Sequence, residues 1–398
     1  MTLECLYTRV FITMEKSVAM KSLSNIANHL LSKFGFRLSR LQLIPVDIIQ
    51  SNQVVAEKRG GDLSPVILDE IFSFYRKVPP LYEGLDIRIE LQIGKVWSFL
   101  LKKDRNTQLE LIRKSDKSGY GKLLENMFFN ELLYGLWNHH YFDEALSKRR
   151  LPGPFFELCR LFEKVSSRSI GEIASRGFWR TWGALTANGV ITFAAPDHAL
   201  QAFNIANLLR SIENPRKNFT VLDLGSGYGG MAEMLLDPNL NLKGDLAVSV
   251  ILVDIPLNLT TAYAYLAHRF GTERVSLLKD PSEVAKISPE DGKIWLLPTI
   301  FLDNLKINID VVNNAQSLSE MDVGNVKYYM DILLRESTTF FIETNVNDIS
   351  DPLKHGPHGE LFSRDFPIPA SHRLLARFSA PEGWSRYVTS IYTSSRIS

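Results

Sequence analysis

Apolar and polar positions follow two rhythms along this chain, and the change falls near residue 195. In the first part helical spacing dominates. Leu23, Ile26, Ala27, Leu30, Leu31 and Phe34 recur at i, i+3 and i+4 until Gly35 stops them, which predicts a helix over 23–34. Lys16, Lys21, Lys33, Arg37 and Arg40 flank that stripe. A basic amphipathic helix of this kind docks on its own domain, the preferred reading, or makes a peripheral contact with an anionic membrane surface. Ser64-Pro65 has the form of an N-cap with proline at the first helical position, opening a helix over 66–77 that Pro79-Pro80 ends. Residues 121–141 are aromatic-rich and helix-like, and a further helix over 155–165 follows the break at Pro152-Gly153-Pro154.

Beyond residue 195 short β-branched runs alternate with helical stretches, which is the pattern of βαβ units and a parallel sheet. Strands are predicted at 220–224, 247–253, 275–278, 293–297, 309–312 and 340–343, with helices over 197–211, 230–236 and 259–270. Gly271 stands where a C-cap belongs. Residues 374–378 and 387–392, around Pro381-Glu382-Gly383, read as a β-hairpin. The expected organisation is a mainly α-helical N-terminal region, 1–195, and an α/β region, 196–398. The second region is Rossmann-like, a mostly parallel sheet with a C-terminal antiparallel hairpin.

Composition narrows the class. A length of 398 residues fits two domains, and 45% hydrophobic with 22% charged residues excludes a mostly disordered chain. Lys+Arg number 45 against 44 Asp+Glu, so no overall field gathers polyanions and no nucleic-acid partner is expected. The two cysteines, Cys5 and Cys159, form neither a zinc pattern nor a disulfide framework, which points to a reducing compartment. The longest apolar stretch, 246–255, is interrupted by Ser249 and Asp254 and has strand length, so no transmembrane segment is expected. A cytoplasmic location follows as the expectation.

The chemistry concentrates at Val221-Leu222-Asp223-Leu224-Gly225-Ser226-Gly227-Tyr228-Gly229-Gly230. An apolar strand runs into a glycine-rich turn that opens a helix, which lets a ligand approach the backbone at the C-terminal edge of a sheet. The spacing alone is ambiguous, since it satisfies both G-x-G-x-x-G and G-x-G-x-G. Asp223, two residues before the first glycine, would repel a pyrophosphate and suits a cationic or amine-bearing ligand. Asp254 ends the next strand, where a carboxylate accepts the hydroxyls of an adenosine ribose from either NAD or S-adenosylmethionine. No tyrosine is followed by lysine four residues later, so the Tyr/Lys pair of sugar-nucleotide short-chain dehydrogenases is missing.

On Asp223, Gly225, Gly227, Gly229 and Asp254 the sequence resembles the class I S-adenosylmethionine-dependent methyltransferases. Within them, Asn313-Asn314-Ala315-Gln316-Ser317-Leu318-Ser319-Glu320-Met321 is similar to the sugar O-methyltransferase family, whose fourth strand ends in an Asn followed by Ser-x-x-Glu-Met. The resemblance covers roughly residues 190–398. It implies S-adenosylmethionine (SAM) as cofactor and methyl transfer to a hydroxyl of a sugar or glycoconjugate. Asp223 would then lie near the methionine amino group or the sulfonium, the 225–229 backbone with Ser226 and Tyr228 would border the ligand, Asp254 and Ile255 would meet the ribose side, and Leu297 and Asn313 would flank adenine and methyl donor. An alcohol is a poor nucleophile near neutral pH, so a base is expected. Glu320, His355 and His358 are the candidates, with histidine the better matched in intrinsic pKa. His355, His358 and Glu360 sit together in a glycine-proline loop, and no metal is assigned to them. The alternatives are an NAD(P)-dependent oxidoreductase using the same glycine loop and a non-catalytic, methyltransferase-like binding subunit. The aromatic cluster Phe178-Trp179-Arg180-Thr181-Trp182 reads as core before it reads as a sugar-stacking surface.

Overall fold

The computed structural model describes residues 54–58, 63–78, 106–129, 132, 153–173, 180–186, 188–212, 218–335, 337–347, 361–379 and 387–395. The predicted helix over 23–34 lies outside them, as do the second half of the 121–141 stretch apart from Leu132, and the 355–360 loop.

The N-terminal part contributes β1 (Val54–Lys58), α1 (Pro65–Lys77), α2 (Asn106–Arg113), α3 (Lys117–Glu125), α4 (Gly153–Ser166), β2 (Arg180–Thr186) and β3 (Gly189–Ile191). Helix α1 buries Ile67, Ile71, Phe72, Phe74 and Tyr75 on one stripe, as its apolar spacing requires. Helices make up most of the described N-terminal part, and a small sheet not expected from the sequence joins them. Strands β1, β2 and β3 form an antiparallel sheet in that order, pairing Ala56 with Trp182 and Ala184 with Ile191. The stretch read as an aromatic cluster therefore enters a strand. Periodicity missed it because β1 and β2 are joined only by a long-range pairing. Gly183 is what lets β3 close on β2, since a Cβ there would run into the Ile191 carbonyl.

The C-terminal part runs α5 (Ala195–Arg210), β4 (Asn218–Leu224), α6 (Gly230–Leu236), β5 (Ala247–Asp254), α7 (Pro256–Phe270), β6 (Val275–Leu277), β7 (Ile294–Pro298), β8 (Val311–Ala315), α8 (Val323–Leu333), β9 (Phe340–Val346), β10 (His372–Ser379) and β11 (Tyr387–Ser394). These strands form an eight-stranded sheet in the order β10-β11-β9-β8-β4-β5-β7-β6. The six strands from β9 to β6 are parallel to one another, and β11 lies antiparallel between β9 and β10. This is a Rossmann-like α/β sheet with a C-terminal antiparallel hairpin. Helices cover both faces, so β4 and β5 are buried at every position after their first residue.

Several element ends shift by one to three residues from the sequence reading. The strand expected at 309–312 runs over Val311–Ala315, because Asp310 caps its start by accepting from Thr220 N at 2.8 Å and the polar Asn313 and Asn314 find partners inside the sheet. The last strand also inserts beside β9 rather than closing the edge, a choice that no hairpin pattern encodes. From β4 the chain moves one way to β5 and returns to the other side at β8, so the strand order reverses between β4 and β8. Crevices outside the carboxyl ends of strands at such a reversal are where open α/β sheets bind ligands. The N-terminal helices pack on α7. The hydroxyls of Tyr75 and Tyr120 lie 2.7 and 3.1 Å from Thr260 Oγ1, and Lys279 pairs with Glu70 at 2.6 Å. Among the described residues no helix is long and apolar enough to cross a membrane.

Candidate functional site

At the reversal, β4 ends and the glycine turn begins. Gly225, Gly227 and Gly229 all have left-handed φ, at 71°, 57° and 85°. At Gly225 that freedom combines with closeness, because a Cβ would strike the Ser317 side chain of the turn after β8. Gly230 has a different reason. It is helical, and His198 from the first turn of α5 rests where its Cβ would be. The third glycine of the G-x-G-x-x-G spacing thus serves packing beneath the turn.

The turn is braced from β5. Gly225 N donates to Val253 O at 2.8 Å, and Gly227 N donates to Asp254 Oδ2 at 2.8 Å. Asp254 Oδ1 accepts from Ile255 N at 2.7 Å and Asn258 Nδ2 at 3.0 Å. Its carboxylate therefore shapes both the glycine turn and the start of α7. Ser226 Oγ is buried and has no hydrogen-bond partner among the described residues. A buried orphan hydroxyl is uncommon in a folded protein.

Asp223 lies one residue short of the end of β4, paired in register with Asn313 of β8. Asn313 Nδ2 donates to Asp223 Oδ1 at 2.7 Å. Burial pushes the Asp223 carboxyl up to about 7; the Asn313 hydrogen bond opposes this, and the charge of Asp254 adds to it.

A polar lattice surrounds the turn after β8. Asn314 Nδ2 donates to Leu224 O at 2.7 Å and to Ser317 Oγ, which locks this turn onto the glycine turn. Asn345 Nδ2 donates to Asn314 Oδ1 at 2.9 Å, and Ser319 Oγ donates to Asn345 Oδ1 at 3.1 Å. The fully buried Glu343 accepts from Asn345 Nδ2 and from Ser363 Oγ. Gln316 takes a left-handed φ of 65° between these bonds, a conformation that costs a non-glycine residue about 1–3 kcal/mol and gathers at functional sites.

The sequence-predicted residues separate accordingly. The structure brings together Asp223, Gly225, Ser226, Gly227, Gly229, Asp254, Ile255 and Asn313 around the reversal. Glu320 ends the short 3-10 turn Leu318–Glu320 on the same edge and is half-buried. Tyr228 belongs to the same turn. Its side chain is 4% exposed and packs edge-on against Phe128, His198 and Tyr265. Leu297 is fully buried near the end of β7, as parallel strands covered on both faces bury both sets of side chains. His355 and His358 lie outside the described residues. Sequence reasoning missed Asn258, His198, Asn345, Glu343 and Gln316. Of these, only Asn258 carried a local signal, four residues after Asp254 on an opening helix. Among the described residues no group of three or more His, Cys, Asp and Glu side chains could hold a metal ion.

No protein-family model and no curated protein matches the sequence. Solved structures show likeness at low identity. A Listeria monocytogenes protein described as a class I S-adenosylmethionine-dependent methyltransferase is 17% identical over 84% of this chain and 90% of its own, with a TM-score of 0.34. Magnesium protoporphyrin IX methyltransferase from Synechocystis, with bound S-adenosylhomocysteine, is 10% identical over 50% of this chain and 84% of its own, at 0.33. A small RNA methyltransferase is 14% identical over 50% of this chain and 25% of its own, also at 0.33. The fold described above stands on this chain's own strand order, and the substrates of those proteins are theirs.

Proposed function

We propose that this protein is an S-adenosylmethionine-dependent O-methyltransferase acting on a hydroxyl of a sugar or glycoconjugate. The observation that carries the cofactor is the buried Asp223–Asn313 pair directly beneath a left-handed glycine turn. A dinucleotide pyrophosphate would bring negative charge onto that carboxylate, whereas an ammonium or sulfonium would relieve its desolvation. The residues present fit such a ligand: the orphan Ser226 hydroxyl lacks a partner, and the turn is already held in place by Asp254. The sugar acceptor rests on the resemblance of residues 313–321 to the sugar O-methyltransferase family.

The bound cofactor supplies a methyl group already activated on sulfur, so the protein's work is alignment and proton removal. Asp223 would hold the positive end, the 225–229 backbone would pass under the ligand, and Asp254 with Ile255 would meet the ribose. Asn313 would keep the Asp223 carboxyl oriented. Glu320, on the same edge, or a histidine of the 355–358 stretch would accept the hydroxyl proton as the oxygen takes the methyl group. The N-terminal region, 1–195, would cover the acceptor and exclude water.

Calorimetric titration of the full chain with S-adenosylhomocysteine, beside NADH, tests the cofactor. Saturable binding of S-adenosylhomocysteine alone, weakened at least about tenfold (about 1.4 kcal/mol) in Asp254→Ala, is the expected result. Binding of NADH in its place would overturn the reading.

A further inference from the structure

Tyr228 supplies the one long side chain of the glycine turn, and that side chain is buried. Its ring meets Phe128, His198 and Tyr265 edge-on, with centroids 5.8, 5.3 and 5.1 Å away. Its hydroxyl lies 3.2 Å from His198 Nδ1 and is hydrogen-bonded by Thr192. These partners share an origin. Phe128 belongs to the short 3-10 turn after α3, Thr192 follows β3, and His198 opens α5. All three precede β4, and His198 also packs against Gly230 at the exit of the turn. Tyr265 continues the contact into α7, where its hydroxyl donates to Glu233 of α6 at 2.6 Å and Arg269 also donates to that carboxylate.

The turn is therefore held on two sides. Asp254 and Val253 grip its backbone from β5, and Tyr228 ties its underside to the chain that comes before the sheet. Three left-handed glycines make this backbone intrinsically loose, so its shape depends on what surrounds it. We infer that Tyr228 is a positioning residue, through which Thr192, His198 and Phe128 set the conformation of the cofactor-binding turn. Its ring and hydroxyl act through these protein contacts. The inference rests on the reading of this turn as a cofactor site, and it makes cofactor affinity dependent on the N-terminal elements.

The test uses the full chain, with hydrogen exchange of the glycine turn and S-adenosylhomocysteine calorimetry as separate readouts. Tyr228→Phe keeps the aromatic packing and removes only the hydroxyl. Amides of residues 225–230 should exchange severalfold faster in this variant, those of β8 should not change, and S-adenosylhomocysteine should bind about three- to tenfold more weakly. His198→Leu should reproduce the effect, and His198→Asn, which keeps a polar atom near the Nδ1 position, should restore most of the loss. A purely structural role would slow or speed exchange throughout the sheet without this local contrast. Wild-type exchange at 225–230 in both Tyr228→Phe and His198→Leu, with wild-type affinity, would overturn the inference. Should the wild type not bind S-adenosylhomocysteine, the cofactor reading falls, while the exchange contrast still decides whether Tyr228 holds the turn.

Discussion

Burial lifts the carboxyl of Asp223 to about 7 from an ordinary 3.8, and this has two opposite consequences. In the free protein the folded state holds a proton that the unfolded state releases. The stability due to Asp223 is full below about 3.8 and is lost as pH rises toward about 7. His198 works the other way, because desolvation pushes it down to about 4 from 6.5, so its contribution is lost as pH falls through that window. Comparing wild type with Asp223→Asn isolates the first effect. Denaturant midpoints of the wild type should fall relative to the variant between pH 4 and 7. A ligand ammonium, such as that of S-adenosylhomocysteine, reverses the preference where it pairs with the ionised carboxylate. S-adenosylhomocysteine affinity should therefore rise with pH by up to about tenfold per unit below about 7 and level off above it. Calorimetry in buffers of different ionisation enthalpy should register proton release at pH 6, and Asp223→Asn should abolish it.

At the scale of elements, the decisive features are places where backbones come close. Strand β3 reaches β2 because Gly183 has no side chain to meet the Ile191 carbonyl. Gly183→Ala should destabilise the protein by about 1–3 kcal/mol, as overpacking of a tight contact does, and thermal melting would register the loss. The turn after β8 illustrates another kind of fit. Its serines and asparagines look like surface residues in sequence, but each bonds across to β4 or β9. Those bonds let a polar strand end run on through Asn313 and Asn314 inside a buried sheet, since buried polar groups are tolerated when paired.

For the molecule as a whole, the N-terminal helices are joined to the sheet region through a polar cluster as well as the Lys279–Glu70 ion pair. Thr260 of α7 takes part with Tyr75 and Tyr120, and Gln108 Nε2 donates to the Tyr120 hydroxyl at 2.8 Å and to Leu257 O at 3.3 Å. Leu257 is three residues beyond Asp254, so this contact reaches the turn that carries the proposed ribose carboxylate. Thr260→Val keeps the shape and removes the hydroxyl. It should cost about 1–3 kcal/mol, seen as a lower urea midpoint with an unchanged slope. A midpoint equal to that of the wild type would mean that the cluster contributes nothing to holding the two parts together.

What the sequence determined by itself was whatever depends on neighbours along the chain. The alternation of β-branched runs with helical stretches made the parallel sheet legible, and Asp223, the glycines and Asp254 marked the edge proposed for the ligand because each sits at a fixed short distance from the end of a strand. Tertiary structure decided the rest, for a physical reason: a hydrogen bond or a close approach depends on distance in space. Periodicity could not pair Val54–Lys58 with Arg180–Thr186 or seat the last strand beside Phe340–Val346. Tyr228 shows the division most clearly. Its place in the glycine turn was plain from the sequence, but the direction of its side chain was set by His198 and Phe128, which lie thirty and one hundred residues away in the chain.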